Sequence, residues 1–310
     1  MQLTGSDSSF RSGYTFLVFF ACLVISTAIY GQEDTSSMLS FMDEEEAPTI
    51  NYAKASFKTN RIINLHSIEN TAPGVMDVKI SHRFGIINQG VYDIFGLDVA
   101  QMRIGYDLGI TDRLCIGGGR STLDKAFDGY IKYKVLRQSS GKRNMPISVS
   151  LVAGMALKTI KYSEPDRVNY FWSRGYYNFH LLLARKFSEA FTLQLTPSMV
   201  HRNLTKTKAE VNDVFALGIG ARQKITKRLT VNLEYIYVLP DQLAEQYVNS
   251  LSVGFDLETG GHVFQMHFTN SQGMNENAFI TETVNKWDKF EFRFGFNLSR
   301  VFTLWDPKRS

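Results

Sequence analysis

From about Thr49 to Leu304 the chain alternates apolar and polar residues with a period of two, in long segments broken by turns. Side chains point to alternate faces only in an extended strand, so this pattern dictates β-structure and gives each strand one apolar and one polar face. In the segment Ala100 to Ile110, Ala100, Met102, Ile104, Tyr106, Leu108 and Ile110 share one face, and Gln101, Arg103, Gly105, Asp107 and Gly109 the other. The final segment sets Phe290, Phe292, Phe294, Phe296 and Leu298 against Glu291, Arg293, Gly295, Asn297 and Ser299. No sustained helical stripe interrupts the series.

The alternation predicts strands near 75–86, 99–110, 113–121, 128–138, 145–160, 173–187, 191–203, 213–225, 228–238, 248–258, 262–270 and 288–304, with residues 55–68 a further candidate. Short connections alternate with long ones, and three short ones share a pattern: Ile110-Thr-Asp-Arg-Leu114, Phe187-Ser-Glu-Ala-Phe191 and Ile225-Thr-Lys-Arg-Leu229. They read as one hairpin used repeatedly.

Alternation alone leaves open which face is dry, because a soluble secreted β-barrel binder hides its apolar face inside. Many strands here are as long as the ~9–11 residues a tilted membrane strand needs, where globular strands run to about 5–6. The polar face carries charges of both signs at mid-strand, which suits a wet or ion-paired lumen. Aromatics gather near strand ends, as Tyr170, Phe171, Trp172, Tyr176 and Tyr177, and as Trp287, Phe290, Phe302 and Trp305, where an interfacial girdle belongs. Short turns facing long loops match the two sides of an outer-membrane barrel. The expected fold is therefore all-β: a transmembrane, antiparallel, up-and-down β-barrel of about 12 strands. Fourteen are possible if 55–68 supplies half of an extra pair.

Ahead of the pattern stands the apolar run Thr15 to Tyr30, followed by polar Gln32-Glu33-Asp34. The run is short for a membrane helix, which needs about 20 residues, and it reads as a secretory signal. The expected organisation is a signal peptide at 1–31, a flexible acidic leader at 32–48, a periplasmic or lumen-entering segment at 49–74, the barrel at 75–305 and a tail at 306–310. Without the signal Cys115 is the only thiol, so no disulfide forms within one mature chain. The net charge of +4 is scattered among acids rather than clustered, which argues against nucleic acid as a partner.

The stretches Phe57 to Glu69 (FKTNRIINLHSIE), Val78 to Asp98, Gly109 to Ser121 (GITDRLCIGGGRS), Val253 to Ser271 and Phe294 to Phe302 resemble an outer-membrane β-barrel family of the Bacteroidota, catalogued as a domain of unknown function. The resemblance spans roughly residues 50 to 305. It implies an outer-membrane barrel and carries no catalytic residues with it.

No motif assigns an enzyme activity, a cofactor or a metal. The six histidines lack ligand spacing, and Gly117-Gly118-Gly119 is not followed by the residues of a phosphate loop. Asn178 and His180 share a face, and Ser198 on the next strand could complete a set for an outer-membrane lipid-processing enzyme; all three are also ordinary lumen residues. The residues placed on the lumen face are Arg103, Asp107, Lys132, Lys134, Glu234, Asp256 and Arg293. Two functions fit such a lumen: a narrow conduit for a small solute, or a closed barrel serving as an anchor or binding a partner through its loops. The small polar-face residues Gly105, Gly109, Ser148, Ser150, Gly154, Gly218, Gly220 and Ser252 favour the conduit, because they leave volume unfilled. Gly218 should accordingly tolerate serine. Membrane lipid and a small solute are the expected partners, the cell outer membrane the expected location, and protein partners stay open. The mature protein is expected in the outer-membrane fraction without residues 1 to about 31. Mass spectrometry of that fraction checks this, and an intact N-terminus in the inner membrane would contradict it.

Overall fold

In a computed structural model, the structure describes residues 49–306 except 163–165, 167, 169, 206, 208, 209, 260 and 261. The expected signal peptide and leader lie outside the described residues, as do residues 307–310 of the tail. Fourteen strands are described: β1 (Ile50–Tyr52), β2 (Val75–Ile86), β3 (Ala100–Gly109), β4 (Leu114–Ser121), β5 (Phe127–Leu136), β6 (Ser139–Gly141), β7 (Ser148–Leu157), β8 (Gly175–Lys186), β9 (Phe191–Arg202), β10 (Asp213–Lys224), β11 (Leu229–Val238), β12 (Ser250–Thr259), β13 (His262–Thr269) and β14 (Arg293–Thr303). β1 and β6 form a small separate pair. The other twelve close into one antiparallel barrel, with each strand beside its neighbour in sequence and β14 completing the ring against β2. These are the twelve strands the alternation predicts. The last begins five residues later than expected, because Trp287 and Lys286 carbonyls accept turn hydrogen bonds from Phe290 and Glu291 at 3.0 Å and Phe290 has φ 56°.

The two faces sort as the period demands. Ile104, Tyr106, Leu151, Phe179, Phe215 and Phe255 are exposed on the outside, while Arg103, Asp107, Ser150, His180 and Glu234 are buried inside. Apolar side chains exposed around the outside of a closed ring are unfavourable in water and fit lipid. Tyr176 departs from the expected girdle: it is buried, facing inward beside Lys158.

The repeated short hairpins share one mechanism. Thr111, Ser188 and Thr226 each accept with the side-chain oxygen from the N–H groups two and three residues on, at 2.9–3.3 Å. In each, the carbonyl of the closing apolar residue, Leu114, Phe191 or Leu229, accepts two backbone hydrogen bonds. A hydroxyl residue at the first turn position therefore satisfies backbone donors that the tight reversal would orphan.

Residues 55–68 add no wall strand, so the count stays at twelve. They turn back through a single bridge between Arg61 and His66, closed by Ile62 N donating to Leu65 O at 2.8 Å. Side chains of this segment, or wall groups bonded to it, reach β2, β3, β5, β9, β10, β11, β12, β13 and β14. A segment that touches opposed walls of a closed ring lies inside it. It enters at the short-turn end, where Pro73 pairs with Gly109. The long connection between β13 and β14 folds inward from the other end and forms a short helix, α1 (Glu276–Thr281), buried along its whole length. Six residues are too few for a helical stripe to show in the sequence.

Leu217→Arg and Leu233→Arg put charge on the outer face and should each cost about 2–4 kcal/mol at mid-bilayer depth. Gly218→Ser is not the mild change the alternation suggests: its Cβ would stand 2.5 Å from Leu65 Cδ1. Overpacking there should cost about 1–3 kcal/mol. Unfolding in lipid or detergent measures all three, and a neutral Gly218→Ser would contradict the seating of Leu65.

Candidate functional site

The plug, residues 55–71, has almost no regular structure, so its backbone donors and acceptors need partners from elsewhere. Irregular backbone at membrane depth is tolerated only where protein or lumen water satisfies it. Polar side chains of the barrel wall do this. The Glu234 carboxylate accepts from the N–H groups of Ile63, Asn64 and Leu65 at 3.1, 3.0 and 2.9 Å, gathering the donors of the tip of the turn. Gln265 donates to Ile62 O at 2.6 Å, Gln194 to His66 O at 2.7 Å and Asn297 to Ile63 O at 3.4 Å. Lys132 donates to Ser67 O and Glu69 O, and Arg222 to Ala55 O and Ser56 O.

Apolar plug side chains fit between these bonds. Leu65 packs with Val200, Val214, Ala216 and Ile236 of the wall and Phe279 and Ile280 of α1. Phe57, Ile62 and Ile68 pack with Tyr130, Val152, Leu182 and Ala184. The small wall residues make this possible. A Cβ on Gly218 would meet Leu65, one on Gly220 would overlap Ile62, and one on Gly254 would come within 3.1 Å of Ile63. Others are filled from the wall itself, Gly105 by Arg103 and Gly154 by Asn178. These small residues therefore do not leave the lumen open: the space beside them is occupied. Among Arg61, Arg83, Arg103 and Met274 a cavity of about 20 Å³ persists, room for about one water.

The seven residues singled out in the sequence form no single cluster. Lys132 and Glu234 hold the plug directly. Asp107 bonds Lys79 and Asn60, both at 3.3 Å, and accepts from Tyr130. Asp256 accepts from Thr230 at 3.1 Å and from Gln265 at 2.6 Å, orienting the amide that reaches Ile62. Arg103 pairs with Asp128 in the wall. Arg293 donates to Asn285 of the long loop at 2.8 Å. Lys134 is only partly buried and lines a recess of about 180 Å³ at the short-turn end, beside Glu69, Asp112 and Arg137. Lys132 meets carbonyls where a carboxylate partner was one of the expected arrangements.

Sequence reasoning missed Arg83, Gln194, Arg222, Gln265 and Asn297. Their inward positions in the alternation were the available signal. It also missed the contact between plug and loop. Arg61 Nη1 lies 2.6 Å from Glu276 Oε1, with His66 Nε2 3.1 Å from the same oxygen. Burial alone would push the Glu276 carboxyl up, but Arg61, and after it His66, carry it well below the usual carboxylate range. Burial, and then the neighbouring Arg61, push His66 well below its ordinary value. Glu276 is therefore an anion facing a guanidinium and a neutral imidazole.

His180 Nδ1 lies 2.7 Å from Ser198 Oγ, which itself donates to Thr196 O at 3.1 Å. With its proton committed to that carbonyl, Ser198 accepts from the imidazole, the reverse of what an activated nucleophile needs. Among the described residues the Asn178 side-chain oxygen has no hydrogen-bond partner. Among the described residues no three His, Cys, Asp or Glu side chains gather as a metal site.

Fold and site together define a twelve-stranded membrane β-barrel whose lumen is filled by its own chain from both ends. The chain belongs to the family of membrane-bound β-barrel domains (DUF5777), matching it over residues 57–302. That span begins within the plug, so the family's domain includes plug and barrel together. No curated protein sequence matches the chain. Among solved structures it is similar to the NanC porin (8% identity, TM-score 0.46, covering 74% of this chain and 98% of that one). It is similar also to the KdgM porin (9%, 0.45, 74% and 99%). A third likeness is to the COG4313 outer membrane channel from Pseudomonas putida F1 (12%, 0.42, 76% and 97%).

Glu234→Gln keeps the shape at the tip of the turn but removes the charge that strengthens three hydrogen bonds, and turns its amide NH2 toward the N–H of Asn64. Hydrogen bonds to charged groups contribute about 1.5–3 kcal/mol, and a loss of that size is expected. Faster proteolysis within residues 55–71 in the assembled barrel checks it; unchanged proteolysis would contradict the role given to Glu234.

Proposed function

We propose that the protein is an outer-membrane conduit for a small polar solute, closed at rest by its own plug, with the short turns and plug entrance on the periplasmic side. The observation that carries this reading is the polarity of the wall beneath the plug. Arg83, Lys132, Gln194, Arg222, Glu234 and Gln265 are all buried there. Buried charges and amides cost free energy compared with an apolar filling of the same shape. With the plug seated these groups satisfy its backbone, and water would satisfy them equally if the plug moved, so the wall suits a wet lumen as well as a filled one. The plug is also removable in principle, since side chains hold it and no strand of the ring pairs with its tip. It can leave without breaking the ladder.

A second reading, a permanently plugged barrel acting as an anchor, is favoured by the apolar seats of Ile62 and Leu65 in the glycine hollows. Planar-bilayer recordings separate the two. The conduit reading expects a silent wild type and discrete openings after Ile62→Ser with Leu65→Ser, which weakens the plug and leaves the wall untouched. Steady conductance in the wild type would contradict closure, and silence in both would favour the anchor.

A further inference from the structure

The plug enters the lumen from the short-turn end and α1 from the long-loop end, and the two meet inside. Three contacts join them. Glu276, in the first turn of α1, faces Arg61 and His66 of the plug. Leu65 shares one buried apolar cluster with Phe279 and Ile280. Arg83 of the wall donates to Asn64 Oδ1 of the plug at 2.6 Å and to Gly273 O of the loop at 3.0 Å, tying both to one guanidinium. Arg61 also donates to Asn64 O at 2.8 Å, so the residue that meets α1 is bonded into the plug turn that Glu234 holds. The loop is anchored near the rim by side chain to backbone bonds, such as Asn270 Nδ2 to Asn285 O at 2.9 Å, and its far part, Val284, Lys286, Asp288 and Lys289, is exposed.

We propose that this loop and the plug form one latch across the membrane: drawing α1 outward strips Glu276 from Arg61 and His66 and loosens the plug turn, which enters from the other end of the lumen. The device rests on the closed-at-rest reading and supplies its trigger, an event at the exposed loop. Two buried segments that share a charge pair and an apolar contact stabilise each other, and such coupling is reciprocal. Loosening either must loosen the other.

The test is amide hydrogen exchange on the full-length protein in phospholipid vesicles, comparing wild type, Glu276→Gln and Arg61→Met. Glu276→Gln should accelerate exchange across residues 57–71 by roughly tenfold or more, equivalent to about 1.4 kcal/mol. Arg61→Met should accelerate exchange across 276–281 by a similar factor, with β7 to β9 unchanged in both. The paired variants approach the latch from opposite sides, so a failure of one to assemble leaves the other decisive. If each substitution loosened only its own segment, or if all the strands loosened together, the latch would be refuted while the plug reading stood. If the wild-type plug amides exchanged as fast as the exposed loops, the closed-at-rest reading itself would fall.

Discussion

An irregular stretch of backbone cannot sit inside a membrane-spanning ring unless its peptide groups are satisfied, and the lumen of this protein is organised around that requirement. The tip of the plug turn presents three N–H groups to one carboxylate, Glu234. The carbonyls on either side go to Gln265, Gln194, Asn297 and Lys132. Once these bonds are in place, the apolar residues between them have fixed positions, and the wall must be small where they land. That is why Gly218 and Gly220 face Leu65 and Ile62. The wall's charges, taken alone, look like the lining of a pore; paired with the plug, they are its scaffold.

This arrangement explains which parts of the molecule were legible in the sequence. The ring was, because period-two alternation is a property of each strand by itself. A hydroxyl at Thr111, Ser188 and Thr226 marked the hairpins for the same local reason. The plug was half legible: Phe57 to Glu69 carries strand-like residues, yet it turns back at Ile62 to Leu65 because the wall, not a neighbouring strand, satisfies its backbone. Gly218 and Gly220 suggested unfilled volume where Leu65 and Ile62 sit, since a small residue reads identically whether it faces water or an apolar side chain from a distant part of the chain. Glu276 was invisible. Its partners lie 215 and 210 residues away, and a six-residue helix leaves no periodic trace.

The balance of forces also bears on motion. Strand pairing holds the ring, whereas polar side-chain contacts and a few apolar seats hold the plug, so the plug belongs to the low-stability end of the molecule. The charge pair between Arg61 and Glu276 joins the plug to a loop that enters from the opposite end of the lumen.

The placement of residues 55–71 in the lumen is tested most directly by a thiol cross-link. In a Cys115→Ser background, Leu65→Cys with Gly218→Cys joins two positions in contact across the plug and wall, while Leu65→Cys with Leu217→Cys pairs the plug with the outer face. Oxidation of the protein in native membranes should join the first pair and leave the second free. If neither pair joins and the cysteine at position 65 reacts readily with a membrane-impermeant maleimide, the segment lies outside the barrel and the account fails.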